Sequence, residues 1–172
     1  IAIGFKWYMD QNCNTRTVGP QGGVPLVNGA GQTGASLVTD GWTAAAAARL
    51  SYGDIFTIAG VNHVNPQSYQ STGELQQFVV TADVSSDAAG NLTVSIDPPI
   101  TTSGAFQTVD AAPADNAALT VSGAANTASP TGVAWHRDCV TLACADLPLP
   151  RGVDMAARQS DEQLGLSLRI IR

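Results

Sequence analysis

From Tyr52 to Asp97 apolar and polar residues alternate with the period of extended backbone, and no helical stripe competes. After a Tyr52-Gly53-Asp54 turn, Ile55–Ala59 is β-branched and aromatic enough for a strand, which Gly60 ends. A loop through Asn62, Asn65 and Pro66 leads to a second strand over Leu75–Val84. There Phe78, Val80, Ala82 and Val84 share one face, and Gln77, Thr81 and Asp83 share the other. Ser85–Asn91 supplies turn residues, and Leu92, Val94 and Ile96 face one way along a third strand, Leu92–Asp97. These last two strands form a hairpin, closed by Pro98-Pro99, which have no amide hydrogen to continue a ladder.

The remaining patterning is weaker. Ile1, Ile3, Phe5 and Trp7 alternate along an opening strand, and Leu164, Leu166, Leu168 and Ile170 do so near the other end, so the two termini are expected to pair. Residues 19–34 read as a Gly-rich loop with a short strand at Val24–Val27. Ala44–Arg49 has helical propensity, but flanking glycines leave two turns at most. Thr101–Asn116 is irregular, Ala117–Val121 is a strand, and Gly123–Pro130 is a loop. Gly132–Leu147 reads mainly as strand, with Val133, Trp135, Val140, Leu142 and Cys144 buried, and Leu147–Pro150 is held extended by its prolines. The class is mainly β, an antiparallel barrel-like region with flanking strands.

At 172 residues and 17.7 kDa the protein is long enough to bury a core of its own. Charged residues are 13% of the sequence, about half the usual share, which suits a surface spent on neighbours of its own kind. The net charge of −6, a single lysine at Lys6 and arginines scattered from Arg16 to Arg172 argue against a specific nucleic-acid site. No apolar run is long enough for a helical membrane span, and no signal peptide is expected. The three cysteines, Cys13, Cys139 and Cys144, lack zinc spacing and read as free, mostly buried thiols of a cytoplasmic folding compartment. Strand pattern already running at Ile1 suggests a fragment or a processed product.

Candidate chemistry is sparse. Gly29-Ala30-Gly31-Gln32-Thr33-Gly34 spells the dinucleotide fingerprint, but Pro25 sits in the preceding strand and no helical stripe follows, so it reads as a loop. His136-Arg137-Asp138-Cys139 gathers titratable groups whose alternation in a strand sends His136 and Cys139 to opposite faces, and His63 lies far away in a loop. Asn91-Leu92-Thr93 spells a glycosylation sequon at a hairpin turn. Asp40, Asp54, Asp83, Asp87, Asp97, Asp110 and Asp115 fall in or near turns, where carboxylates bond nearby amides. No catalytic, cofactor-binding or metal-ligating residue is assigned, no cofactor is expected, and the sequence does not read as an enzyme.

The order of Gly53–Pro66, Ser71–Thr81, Gln107–Asp110 with Pro113–Ala117, and Ala145–Pro150 with Gly152–Met155 resembles the major capsid (coat) proteins of short-tailed Salmonella-type phages. Trp7–Asn12 fits as well, and the resemblance covers most of the sequence from about Arg49 to Arg172. It implies a tailed-phage capsid fold carrying an inserted β-barrel domain, with 34–126 as the insertion and 1–33 and 127–172 as strands of the host domain. It implies self-assembly with other copies into an icosahedral virion shell, together with a scaffolding protein and a portal, after folding in the bacterial host cytoplasm. It also implies an N-terminal arm and a long helix that this sequence lacks, so only a longer parent protein is expected to close into shells. The alternative is a small β-barrel or sandwich binding module for a carbohydrate or protein ligand, which a surface cluster of aromatics would favour.

Overall fold

Every regular element among the described residues of the computed structural model is a β-strand. The structure describes residues 8–9, 11–132, 134, 139, 148–161 and 166–172. The strands are β1 (Asn14–Thr17), β2 (Gly23–Val27), β3 (Gly34–Trp42), β4 (Ala48–Leu50), β5 (Ile55–Val64), β6 (Ser71–Val80), β7 (Val84–Ser85), β8 (Leu92–Ile100), β9 (Leu119–Val121), β10 (Ala128–Thr131), β11 (Ala156–Asp161) and β12 (Leu166–Ile171). They fall into two compact units, one of Gln11–Gly132 and one of Ile1–Asp10 with Val133–Arg172.

In the larger unit six strands form one antiparallel sheet in the order β2-β3-β8-β6-β5-β9. The sheet curls until its edges meet. Leu26 bridges Ala118, the Val27 amide donates to Ala117 O at 2.9 Å, and the Asn116 amide donates to Val27 O at 2.9 Å. Closure removes the exposed edges that an open sheet would present to other proteins. Inside, Phe56 and Phe78 face each other across β5 and β6 with ring centroids 5.7 Å apart, and Val27, Leu37, Ile58, Val80 and Val94 are fully buried around them. Burying each such residue contributes about 1.5–3 kcal/mol relative to leaving it exposed.

The inward positions Phe78, Val80, Leu92, Val94 and Ile96 are all buried, as the alternation predicts. Several boundaries differ, each for a local reason. Gly60 does not end β5: with φ of 77° it carries the register shift between Thr57 and Asn62, and the strand bends through it to Val64. Strand β6 stops at Val80 although the alternation runs to Val84. The Tyr52 amide donates to Asp83 Oδ1 at 2.7 Å, and Val84 instead pairs with Leu50.

The expected tight hairpin is therefore a pair of barrel neighbours joined by a long excursion. Strand β8 meets β6 at Val79↔Asp97 and Val80↔Ile96, and runs alongside β3 from Leu92 to Ser95. Pro98 and Pro99 lie inside β8, where the register with β3 shifts between Ser36 and Gly34, one of the places a strand tolerates proline.

Ala44–Arg49 is not helical. Two of its carbonyls are claimed by Ser86, whose Oγ donates to Ala45 O at 2.7 Å and whose amide donates to Ala47 O at 3.1 Å, and buried Arg49 ties the segment down, donating from Nε to Ser86 Oγ at 3.0 Å and from Nη2 to Thr43 O at 2.8 Å. These tertiary bonds outweigh the weak preference of an alanine run.

Strand β3 has no counterpart in the sequence reading, because its inward positions include a polar one. Thr39 is fully buried, donating from Oγ1 to Leu92 O at 3.1 Å and accepting from Trp42 Nε1 at 2.9 Å. Gly41, at φ of 72°, admits the close crossing to β2, since a Cβ there would sit 2.2 Å from Val24 O.

The stretch expected to be a loop at Gly123–Pro130 contributes β10, which pairs with β1 at Asn14↔Thr131 through Thr17↔Ala128. The smaller unit contains the β11–β12 ribbon, in register from Ala156↔Ile171 to Asp161↔Leu166, with Leu166, Leu168 and Ile170 exposed on one face. The Ile1–Trp7 strand, Leu164, and the buried positions expected at Val133, Trp135, Val140, Leu142 and Cys144 lie outside the described residues. Cys13 and Cys139 are exposed, against the expectation of buried thiols.

Candidate assembly surfaces

Three rigidly built regions of the barrel present side chains outward. The first is the arm formed by the far ends of β5 and β6 with the loop 101–110. Asp110 accepts from the Asn62 amide and from Asn62 Nδ2, both at 2.9 Å, and from Ser71 Oγ at 2.8 Å, so one carboxylate ties the loop to both strands. The Asn62 side-chain amide is the largest influence holding the Asp110 carboxyl below the usual carboxylate range, with partial burial opposing it and the Asn62 backbone amide and Ser71 hydroxyl adding to it. Tyr69 donates from its hydroxyl to Ala105 O at 3.5 Å, and the next residue, Phe106, is 87% exposed. Leu75 is also exposed on this arm.

The second region is the foot of the barrel, where β1 and β10 join it. Asp54 is fully buried, and its Oδ2 accepts from the Ser51 amide at 2.8 Å and the Gly19 amide at 3.0 Å. Its Oδ1 faces Arg16 Nη2 at 3.5 Å, and Arg16 Nη1 donates to Gly53 O. Two residues thus fasten the β1–β10 ribbon to the barrel.

The third is the turn between β2 and β3. The Gly29–Gly34 run is this hairpin turn, followed by a strand, so it has none of the helix that a dinucleotide site requires. Gln32 holds it shut, donating from Nε2 to Val38 O and Asn28 O, both at 2.9 Å, and accepting from the Val38 amide at 2.7 Å through Oε1.

The titratable residues singled out in the sequence do not converge. His63 is exposed on β5, His136–Asp138 lie outside the described residues, and no group of three or more His, Cys, Asp or Glu side chains approaches metal-binding geometry among the described residues. The aspartates largely do what turn aspartates do. Asp87 accepts from the Ala89 and Asn91 amides, both at 2.8 Å, and from Asn91 Nδ2 at 2.9 Å, and the Asn91 side chain is the main reason its carboxyl titrates low. Asp40 and Asp97 instead lie within β3 and β8. The buried Asp54–Arg16 pair escaped sequence reasoning, since its partners are 38 positions apart by their numbers and nothing local marks them.

Comparison with protein families matches residues 34–172 to the family described as P22 coat protein, gene protein 5. The chain belongs to the P22 coat protein family. The family's role is that of a capsid structural subunit. Among solved structures the chain is similar to the CUS-3 coat protein I-domain, at 27% identity and a TM-score of 0.39, over 60% of this chain and 97% of that one. A comparison with curated proteins gave no match.

Proposed function

We propose that this protein is the part of a bacteriophage major coat protein in which a β-barrel is inserted into the shell-forming domain, and that it acts by assembling with other copies into an icosahedral virion shell. The single observation that supports this most is the family match, which begins at Gly34, the first residue of β3, and continues to Arg172, spanning both compact units. Residues 34–126 form the body of the insertion, with β1, β2 and β10 completing it, and the remainder contributes strands to the host capsid domain. The pairing of β1 with β10 supports this reading, because an inserted module must receive and return the backbone at neighbouring points.

In this reading the protein catalyses nothing, folds in the bacterial cytoplasm, and is guided by a scaffolding protein and nucleated at a portal. The test is co-expression of the coat subunit that contains these residues with its scaffolding protein, followed by sedimentation and electron microscopy. Uniform closed shells are expected. A monomeric product that binds a carbohydrate or turns over a substrate overturns the proposal.

A further inference from the structure

We propose that Asn28–Gly29, at the β2–β3 turn, is a site of spontaneous deamidation whose rate is held down by Asp115. An asparagine followed by glycine is the sequence most prone to this reaction, because no side chain hinders the approach of the next amide nitrogen to the carboxamide. The deprotonated Gly29 nitrogen attacks Asn28 Cγ. The new bond from nitrogen to Cγ closes a succinimide as the bond between Asn28 Cγ and Nδ2 breaks and ammonia departs. Water then opens the ring at either carbonyl, leaving aspartate or isoaspartate at position 28.

The structure supplies both a permissive and a restraining element. Asn28 is exposed, and its side-chain amide has no partner among the described residues. Gly29 borders open space, with nothing within 4 Å of where a Cβ would project, so a ring can form there without a clash. The Gly29 amide, however, donates to Asp115 Oδ1 at 2.8 Å. The rest of the dipeptide backbone is held as well. The Asn28 amide donates to Val38 O at 3.0 Å, and Gln32 Nε2 donates to Asn28 O at 2.9 Å and Gly29 O at 3.1 Å. The nucleophilic nitrogen must give up its charge-assisted bond to Asp115 before it can lose its proton and swing toward Asn28 Cγ. Once formed, the carboxylate at 28 adds a negative charge one residue from the amide that Asp115 holds, and like-charge repulsion should weaken the contact between this turn and Asp115.

The experiment follows the 172-residue protein in warm, mildly alkaline buffer by peptide mass and by enzymatic isoaspartate labelling. Cleavage at arginine releases Thr17–Arg49, in which Asn28 is the one asparagine. Slow conversion confined to Asn28 is expected in the native protein and fast conversion in the urea-unfolded protein. Asp115→Ala should accelerate the folded protein about tenfold, the worth of one hydrogen bond to a charged group. Asn28→Asp should release no ammonia from this peptide. Should Asp115→Ala fail to fold, its rate will match the unfolded protein, and folded Gln32→Ala, which loosens the same backbone, takes its place with the same expected direction. Conversion at equal rates in the native and unfolded states overturns the proposal, as does a folded variant that reacts no faster than the parent.

Discussion

Replacing Asp54 by alanine tests the claim that one buried carboxylate fastens the ribbon to the barrel. The substitution removes the acceptor of two backbone amides, at Gly19 and Ser51. Gly19 is buried and its amide loses its partner outright, costing about 2 kcal/mol, whereas Ser51 is half-buried and water can replace part of the loss, leaving about 1 kcal/mol. Arg16, with 24% of its side chain exposed, can turn to solvent and adds little, so the total is about 3 kcal/mol. Arg16→Ala should cost a similar amount for a different reason, since it strands a negative charge with 0% exposure. The double variant should cost less than the sum by about 1–2 kcal/mol, because the second change removes a charge that the first had already left unpaired. Urea unfolding at constant slope, read by both tryptophan fluorescence and circular dichroism, measures all three. A loss below about 1 kcal/mol for Asp54→Ala, or strict additivity in the cycle, would refute the reasoning.

Other expectations follow from the same geometry. Val94→Asp, at a fully buried inward position, should cost several kcal/mol, while Thr93→Asp on the outer face of β8 should be mild, and equal thermal shifts for the pair would overturn the register. Because the folded Asp110 carboxyl titrates below its unfolded value of about 4, the stability it contributes is complete above that pH and is lost as pH falls through the folded value. Asp110→Asn should flatten the acid limb of the stability curve and leave the protein less stable than the parent at neutral pH. Gly90→Ala should destabilise strongly, since φ is 85° and the new Cβ would lie 2.3 Å from Trp42 O. A melting temperature unchanged by that substitution would contradict the close crossing of the 87–91 turn over β3.

The inner face of the barrel was legible where apolar residues alternate without interruption, as at Leu92, Val94 and Ile96, because burial on one face of a strand has that period and no other. It was illegible where a polar group is buried by pairing. Thr39 and Asp54 are wholly enclosed, and each leans on a partner far away in sequence, Leu92 O for Thr39 and the Gly19 amide for Asp54, which neither local composition nor spacing reveals. Glycine misled in one case for the same kind of reason: at Gly60 the positive φ serves a bulge within a strand rather than the end of one. The capsid role was readable from the order of short segments shared with a family. The surfaces that would support assembly were not, because exposed residues such as Phe106 and Tyr69 are positioned by hydrogen bonds of the 101–110 loop rather than by any periodic pattern.

The β1–β10 ribbon also bears on the order in which the protein folds. Thr131 donates from Oγ1 to Asn14 O across 117 residues, and closing so long a loop from the unfolded state exacts a conformational-entropy penalty before any contact offsets it. Once the barrel has formed, its own strands have already brought those ends together, and the ribbon can zip with almost no further loss of freedom. It should therefore form after the barrel and open before it, so that its amides exchange with solvent by a local opening of lower free energy than global unfolding.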